Sequence, residues 1–73
     1  MDRIIGEIFM FAGDYTPAGC LPCDGRRLNV KDYKSLFFVI GDKYTVEPII
    51  ADTFCLPKND GCYIVYDGLF PVE

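Results

Sequence analysis

The chain contains no histidine and no tryptophan among its 73 residues. Histidine is the most frequent general base, and near neutral pH it is also the commonest metal ligand and proton shuttle. Without it, catalysis would depend on carboxylates or thiols. Gly13, Gly19 and Gly25 are spaced six residues apart and fit no phosphate-binding loop. We therefore expect a protein that is not an enzyme, with no catalytic residue and no cofactor.

Basic clusters and long apolar runs are also missing. Seven basic residues stand against 11 acidic ones, the net charge is -4, and the one adjacent basic pair is Arg26 and Arg27. Nucleic-acid binding needs clustered lysine and arginine, so we expect no nucleic-acid partner. No stretch approaches the roughly 20 apolar residues that span a bilayer, and the first residues do not resemble a secretory signal. We expect neither membrane binding nor export by a signal peptide.

Apolar residues are abundant for so short a chain, at 51% hydrophobic and 15% aromatic. A chain of this length forms one domain, residues 1–73, and buries roughly 60% of its unfolded surface. Apolar surface that the core does not hide must be covered by a partner. The surplus favours a homo-oligomer or a docked position in an assembly, and a dense monomeric core is the alternative.

Four cysteines are present, and two further interpretations of them stay open. We predict reduced thiols and no metal site, because no export signal is visible and cysteine commonly acts as a small buried hydrophobe. Zinc is the first alternative, with Cys20 and Cys23 as one ligand pair and Cys55 and Cys62 as the other, although six residues separate the second pair. A dithiol enzyme is the more remote alternative, since the CxxC segment does not open a helix.

The hydrophobic pattern predicts an α+β fold, a small sheet of short strands with one amphipathic helix packed on it. Residues 4–11 form a strand that is apolar on both faces, residues 13–25 form a turn rich in glycine and proline, and residues 26–28 form a short return strand. Residues 53–56 and 62–66 are strands joined by a hairpin turn at residues 58–61. The tail is anchored, if at all, by Leu69 and Phe70.

The predicted helix begins after Asn29, which caps it with Asp32 at the capping-box position, and it ends at Gly41. Helical spacing gives a continuous apolar stripe of Tyr33, Leu36, Phe37 and Ile40. Phe38 and Val39 lie off that stripe, so we expect them to add apolar surface that one small sheet does not cover.

Several segments together resemble one known family. GEIFMFAG at residues 6–13 runs into PAGCLPCDG at residues 17–25, followed by Leu28, a helix ending in glycine, Tyr44 and FCLP at residues 54–57. This order is similar to the phage tail collar domain, and the closing GLFP resembles the end of microcystin-dependent-type collar proteins. Collar domains usually have tryptophan where Cys20 stands and a long middle region after the FxLP segment. The chain resembles a minimal, tail-collar-like form without that insert.

The resemblance implies a structural or assembly module in a tail fibre or tail tip, a place in the virion, and self-association, often as a trimer, or binding to other tail proteins. The alternative is a phage-encoded protein in the host cytoplasm that inhibits defence by sequestering a small anionic, nucleotide-like signal or by blocking a host protein. Tyrosine and arginine dominate protein interfaces and also suit flat or anionic ligands. We therefore predict Tyr15, Arg26, Arg27 and Tyr44 as binding residues.

Overall fold

The computed structural model describes residues 3–71, which contain antiparallel strands in two sheets, one 3-10 helix and one α-helix. The strands are β1 (Ile8–Met10), β2 (Cys20–Asp24), β3 (Arg27–Asn29), β4 (Thr53–Cys55) and β5 (Lys58–Val65). The 3-10 helix (Val30–Asp32) and α1 (Lys34–Ile40) lie between β3 and β4. This mixture of short strands and one short helix agrees with the predicted α+β class.

The larger sheet has the order β1-β5-β2, with β5 in the centre and antiparallel to both neighbours. Ile64 lies opposite Ile8 on one side and Leu21 on the other. Successive side chains of a strand point to opposite faces, yet Ile64 and Val65 both have no exposed surface. The end of β5 is therefore covered on both faces, which makes it the centre of the fold.

The smaller sheet pairs β3 with β4, and Leu28 lies opposite the fully buried Phe54. The prediction of a single sheet is wrong, and so is the predicted hairpin turn at residues 58–61. These residues are extended within β5, where Lys58 pairs with Asp24 of β2. Because β4 and β5 join different sheets, the short link between them changes sheets.

Residues 13–25 do not form one long turn, which corrects the sequence prediction. Their second half is β2, although it contains Pro22. A proline cannot donate to a ladder of hydrogen bonds, so it is tolerated where a strand has one free side. Strand β2 is at the edge of its sheet, where Pro22 meets that condition.

The first strand is shorter than the predicted residues 4–11, because Gly6 interrupts it. Gly6 has a φ of 92°, and a Cβ there would lie 2.6 Å from Cγ1 of Val39. The chain before the interruption takes a separate path, in which Ile4 forms a parallel bridge with Leu69 and the Ile5 amide donates to the Leu69 carbonyl at 2.8 Å. Backbone hydrogen bonds therefore fasten the tail, in addition to the contact of the Phe70 ring with Phe38.

Helix α1 begins at Lys34, later than predicted, so it carries Leu36, Phe37 and Ile40 of the predicted stripe while Tyr33 precedes it. It ends at Gly41 as predicted, where φ is 60°. The capping-box prediction is wrong, since the Asn29 side chain donates to Asp32 at 3.4 Å instead of accepting from a helix amide, and a 3-10 turn precedes α1. Val39 also departs from its prediction, because it packs against the core beside Gly6. The central core cluster comprises Ile5, Cys23, Leu28, Leu36, Phe54, Leu56 and Ile64.

Candidate interaction surface

Tyr15, the first predicted binding residue, is 65% exposed in the segment before β2. Its ring packs edge-on against Phe11 at a centroid distance of 5.1 Å, and Phe11 in turn contacts Tyr63 of β5 at 6.0 Å. This aromatic row holds Tyr15 against the sheet while leaving most of its surface free for a partner.

Arg26, the second predicted residue, is engaged within its own turn. Its Nη2 lies 2.9 Å from Oδ2 of Asp24, and its backbone amide donates to Asp24 Oδ1 at 3.1 Å. The hydrogen bond from the Arg26 side chain holds the pKa of the Asp24 carboxyl below its ordinary value. The guanidinium is still partly exposed, so Asp24 and Arg26 present a paired charge to solvent.

The remaining two predicted residues are both associated with the loop of residues 42–52: Tyr44 lies in it, and Arg27 binds it from β3. Arg27 donates to the Val46 carbonyl and to Thr53 Oγ1, both at 3.3 Å. Tyr44 is 38% exposed, and Nζ of Lys43 lies 5.8 Å from the centre of its ring. Arg27 thus fastens the loop that carries Tyr44. Across residues 3–71, no hydrogen bond, ion pair or ring contact joins Tyr15 to the other three.

A second group of exposed apolar side chains was not predicted from the sequence. We name it the α1-tail surface: Ile4, Phe38, Leu69 and Phe70. Phe38 is 80% exposed on α1, and its ring meets that of Phe70 edge-on at 5.6 Å. Leu69 and Ile4, joined by their backbone bridge, are both about half exposed. The off-stripe position of Phe38 was the available signal, but only the folded tail shows that Phe70 lies beside it.

Further apolar side chains are exposed on β1 and on the 42–52 loop. On β1, Ile8 and Met10 share the sheet face of Ile64, but Met10 is 80% exposed. The loop exposes Val46, Ile49 and Ile50. Single exposed hydrophobic residues are normal on monomers, whereas groups of them are typical of contact sites.

The cavities found in the described part of the chain are open to solvent. One of about 290 Å³ lies under the loop between Phe37, Ile49 and Thr53. Another of about 380 Å³ is lined by Asn29, Val30, Lys31, Lys34 and Asp52, and so combines two lysines with a carboxylate. Ligand pockets commonly enclose most of their ligand, and these hollows are shallow by that measure.

All four cysteines are free thiols, and Cys55 and Cys62 lie in strands as predicted. Cys20 and Cys23 stand three residues apart on a strand, so their side chains point to opposite faces of β2. Burial raises the pKa of both thiols, and the neighbouring Cys62 adds to the shift at Cys23. Between residues 3 and 71, no three or more cysteine, aspartate or glutamate side chains come together as metal ligands.

Helix α1 is also shorter than a helix that spans a bilayer. No helix in residues 3–71 has the length and apolar character needed to cross a membrane.

Comparison with protein families gives one finding. The family model of the phage tail collar domain matches residues 6–62, which is more than three quarters of the chain. No curated protein and no solved structure gives a significant match.

Proposed function

The chain belongs to the phage tail collar domain family and is a structural module of a phage tail, and we propose that it acts in a tail fibre or tail tip through contacts with copies of itself. The family relationship implies association with itself or with other tail proteins. Our proposal selects self-association, as a homo-oligomer such as a trimer, and assigns the contact to the α1-tail surface.

The observation that carries this proposal is the exposed pair of rings at Phe38 and Phe70. Phe38 is 80% exposed and its ring contacts that of Phe70, and grouped exposed apolar side chains of this kind are typical of contact sites, where aromatic rings are enriched. The whole chain exposes 5198 Å², compared with about 4,600 Å² expected for a monomer of its mass. Both observations favour a partner that covers exposed apolar surface, and we propose that this partner is a second copy of the chain.

We further propose that Tyr15, Arg26, Arg27 and Tyr44 contribute a second, more polar contact. Tyr15 and Tyr44 are exposed aromatics on chain segments held by neighbouring contacts, so little freedom is lost when a partner binds them. The contact is non-covalent, and the proposal includes no catalytic step and no cofactor.

Incorporation into particles tests the proposed role. Phages that encode the unchanged chain, Phe38→Glu or Lys34→Gln would be purified, and the chain would be quantified by mass spectrometry. The two substitutions lie on the same helix and each lowers the net charge by one, so Lys34→Gln controls for charge. We expect normal incorporation of the unchanged chain and of Lys34→Gln, and strongly reduced incorporation of Phe38→Glu.

Absence of the unchanged chain from purified particles would contradict the proposal. If calorimetry then showed tight binding of a cyclic or ADP-ribose-type nucleotide, the alternative of a defence inhibitor in the host cytoplasm would replace it. Equal incorporation of Phe38→Glu and Lys34→Gln would retain the tail role but remove the α1-tail surface as its contact.

A further inference from the structure

Two of the four free thiols, Cys23 and Cys62, lie beside the last regular pair between β2 and β5. Strands β2 and β5 are paired through Cys20 with Val65, Leu21 with Ile64 and Pro22 with Tyr63. The next residue along each strand is a cysteine, Cys23 on β2 and Cys62 on β5. The regular register ends at this point, since the next pair is Asp24 with Lys58.

Both cysteines lie on the core face of the sheet. Cys23 alternates with Pro22 and therefore shares the face of Leu21, and Cys62 shares the face of Ile64 for the same reason. Their packing agrees with this assignment, because Cys23 belongs to the core cluster and Cys62 packs against the same cluster. Cys23 and Cys62 adjoin Pro22 and Tyr63, the last regularly paired residues, so they are neighbours where the regular register ends. Directly opposite residues of antiparallel strands have Cα atoms about 4.5–5.5 Å apart, and disulfides bridge Cα distances of about 4.4–6.8 Å.

The other two thiols lack such a partner. Cys20 is on the opposite face of β2 and lies opposite Val65, and Cys55 is in the smaller sheet opposite Arg27. Access also differs, since Cys62 is half-buried while Cys20, Cys23 and Cys55 are buried. On the side of Cys62 away from Cys23 lies Met10, on the edge strand β1. An oxidant in solution therefore reaches Cys62 first.

We propose that Cys23 and Cys62 form a reversible disulfide that locks β2 to β5 when the protein meets a small-molecule disulfide such as oxidised glutathione. The Cys62 thiolate attacks one sulfur of the reagent, forming a mixed disulfide and releasing one glutathione thiolate. Cys23 loses its proton and attacks the Cys62 sulfur, releasing the second glutathione. In sum, two protein thiols are oxidised to one disulfide and one glutathione disulfide is reduced to two thiols.

The bond would add a covalent link to a domain whose small size limits the stability that its hydrophobic core supplies. It would close the loop from residue 23 to residue 62, which contains β3, α1 and β4. Cross-links over loops of this length stabilise mainly by restricting the unfolded chain. A tail protein passes from a reducing cytosol to an oxidising medium on release from its host, so the lock would form outside the cell.

The test uses the folded full-length chain and counts free thiols after exposure to oxidised glutathione. We expect loss of two thiols out of four, a mass lower by two hydrogen atoms, and a mapped peptide pair that joins Cys23 to Cys62. The melting temperature should rise by roughly 10–30 °C and return on addition of a reductant. Cys62→Ala should abolish the mass change, and Cys55→Ala should retain it.

Peptide mapping of the unchanged chain tests the proposed disulfide even if a variant fails to fold. A pair that includes Cys20 or Cys55, or an intermolecular link in its place, would overturn the proposal. Four free thiols in the folded chain, under conditions that oxidise the urea-unfolded chain, would overturn it as well.

Discussion

At the scale of single residues, the turn between β2 and β3 shows how a three-residue segment is stabilised. Asp24 accepts hydrogen bonds from the backbone amide and the guanidinium of Arg26, and Gly25 between them has a φ of 79°. Only glycine adopts that backbone conformation without strain, and asparagine tolerates it better than other residues. The backbone conformation therefore limits which residues position 25 accepts. Space does not limit it, since the nearest atom to an added Cβ would be Lys58 Cβ at an ordinary contact distance of 3.5 Å.

Gly25→Val should lower the free energy of unfolding by about 1–3 kcal/mol, because a β-branched residue at positive φ is strained. Gly25→Asn, which also adds a Cβ, is the matched control and should cost less than about 1 kcal/mol. Urea denaturation of the three proteins provides the measurement. Equal losses for both substitutions would show that space, not backbone conformation, limits this position.

The Asp24 and Arg26 pair predicts a small dependence of stability on pH. Folding lowers the pKa of Asp24 below its ordinary 3.8, chiefly through the hydrogen bond from Arg26. A lowered folded pKa gives stability that is present above the ordinary pKa and is lost as the pH falls through the folded value. The side chains are 43% and 48% exposed, so solvent screening limits the effect to less than about 1 kcal/mol.

The unchanged chain should thus be slightly more stable than Asp24→Asn near neutral pH, since asparagine keeps the hydrogen bond from the Arg26 amide but loses the charge. The difference should shrink as the pH falls below the ordinary pKa and disappear below the lowered folded pKa, as followed by urea denaturation across the pH series. A difference that grows in acid would contradict the assigned sign.

At the scale of elements, the sequence predicted helix α1 best, because the spacing of Tyr33, Leu36, Phe37 and Ile40 matches a helical period and Gly41 ends it. It predicted β2 and β5 poorly. Pro22 and its neighbouring glycines are typical of turns, and only the edge position in the folded sheet makes a strand with proline acceptable. Residues 58–61 likewise have a turn composition, and their pairing with β2 depends on tertiary contacts. The same limit applies to the α1-tail surface, since sequence spacing does not place Phe70 beside Phe38.

Two alanine substitutions in helix α1 should differ strongly in how far they lower the free energy of unfolding. Leu36 has no exposed surface, so Leu36→Ala should cost about 2–5 kcal/mol, enough to unfold much of a domain this small. Phe38→Ala, at 80% exposure, should cost less than about 1 kcal/mol. Denaturation at one low protein concentration compares them. Similar losses at both positions would mean that Phe38 supports the fold itself.

At the scale of the whole molecule, the chain divides its apolar residues between a fully buried centre and several exposed groups. Phe54, Leu36, Leu56, Ile64 and Val65 fill the centre. The α1-tail surface, the free face of β1 and the 42–52 loop remain uncovered in the single chain. Such a distribution is typical of a subunit whose stability includes its assembly, which agrees with the self-association that we propose.

Sedimentation equilibrium of the purified chain tests this central claim most directly. The unchanged chain and Lys34→Gln should sediment as homo-oligomers at high micromolar concentration, whereas Phe38→Glu should shift toward monomer while keeping its circular dichroism spectrum. The size of the shift should match an interface anchor worth about 2 kcal/mol or more. A well-folded monomer for the unchanged chain across the whole concentration range would contradict the account.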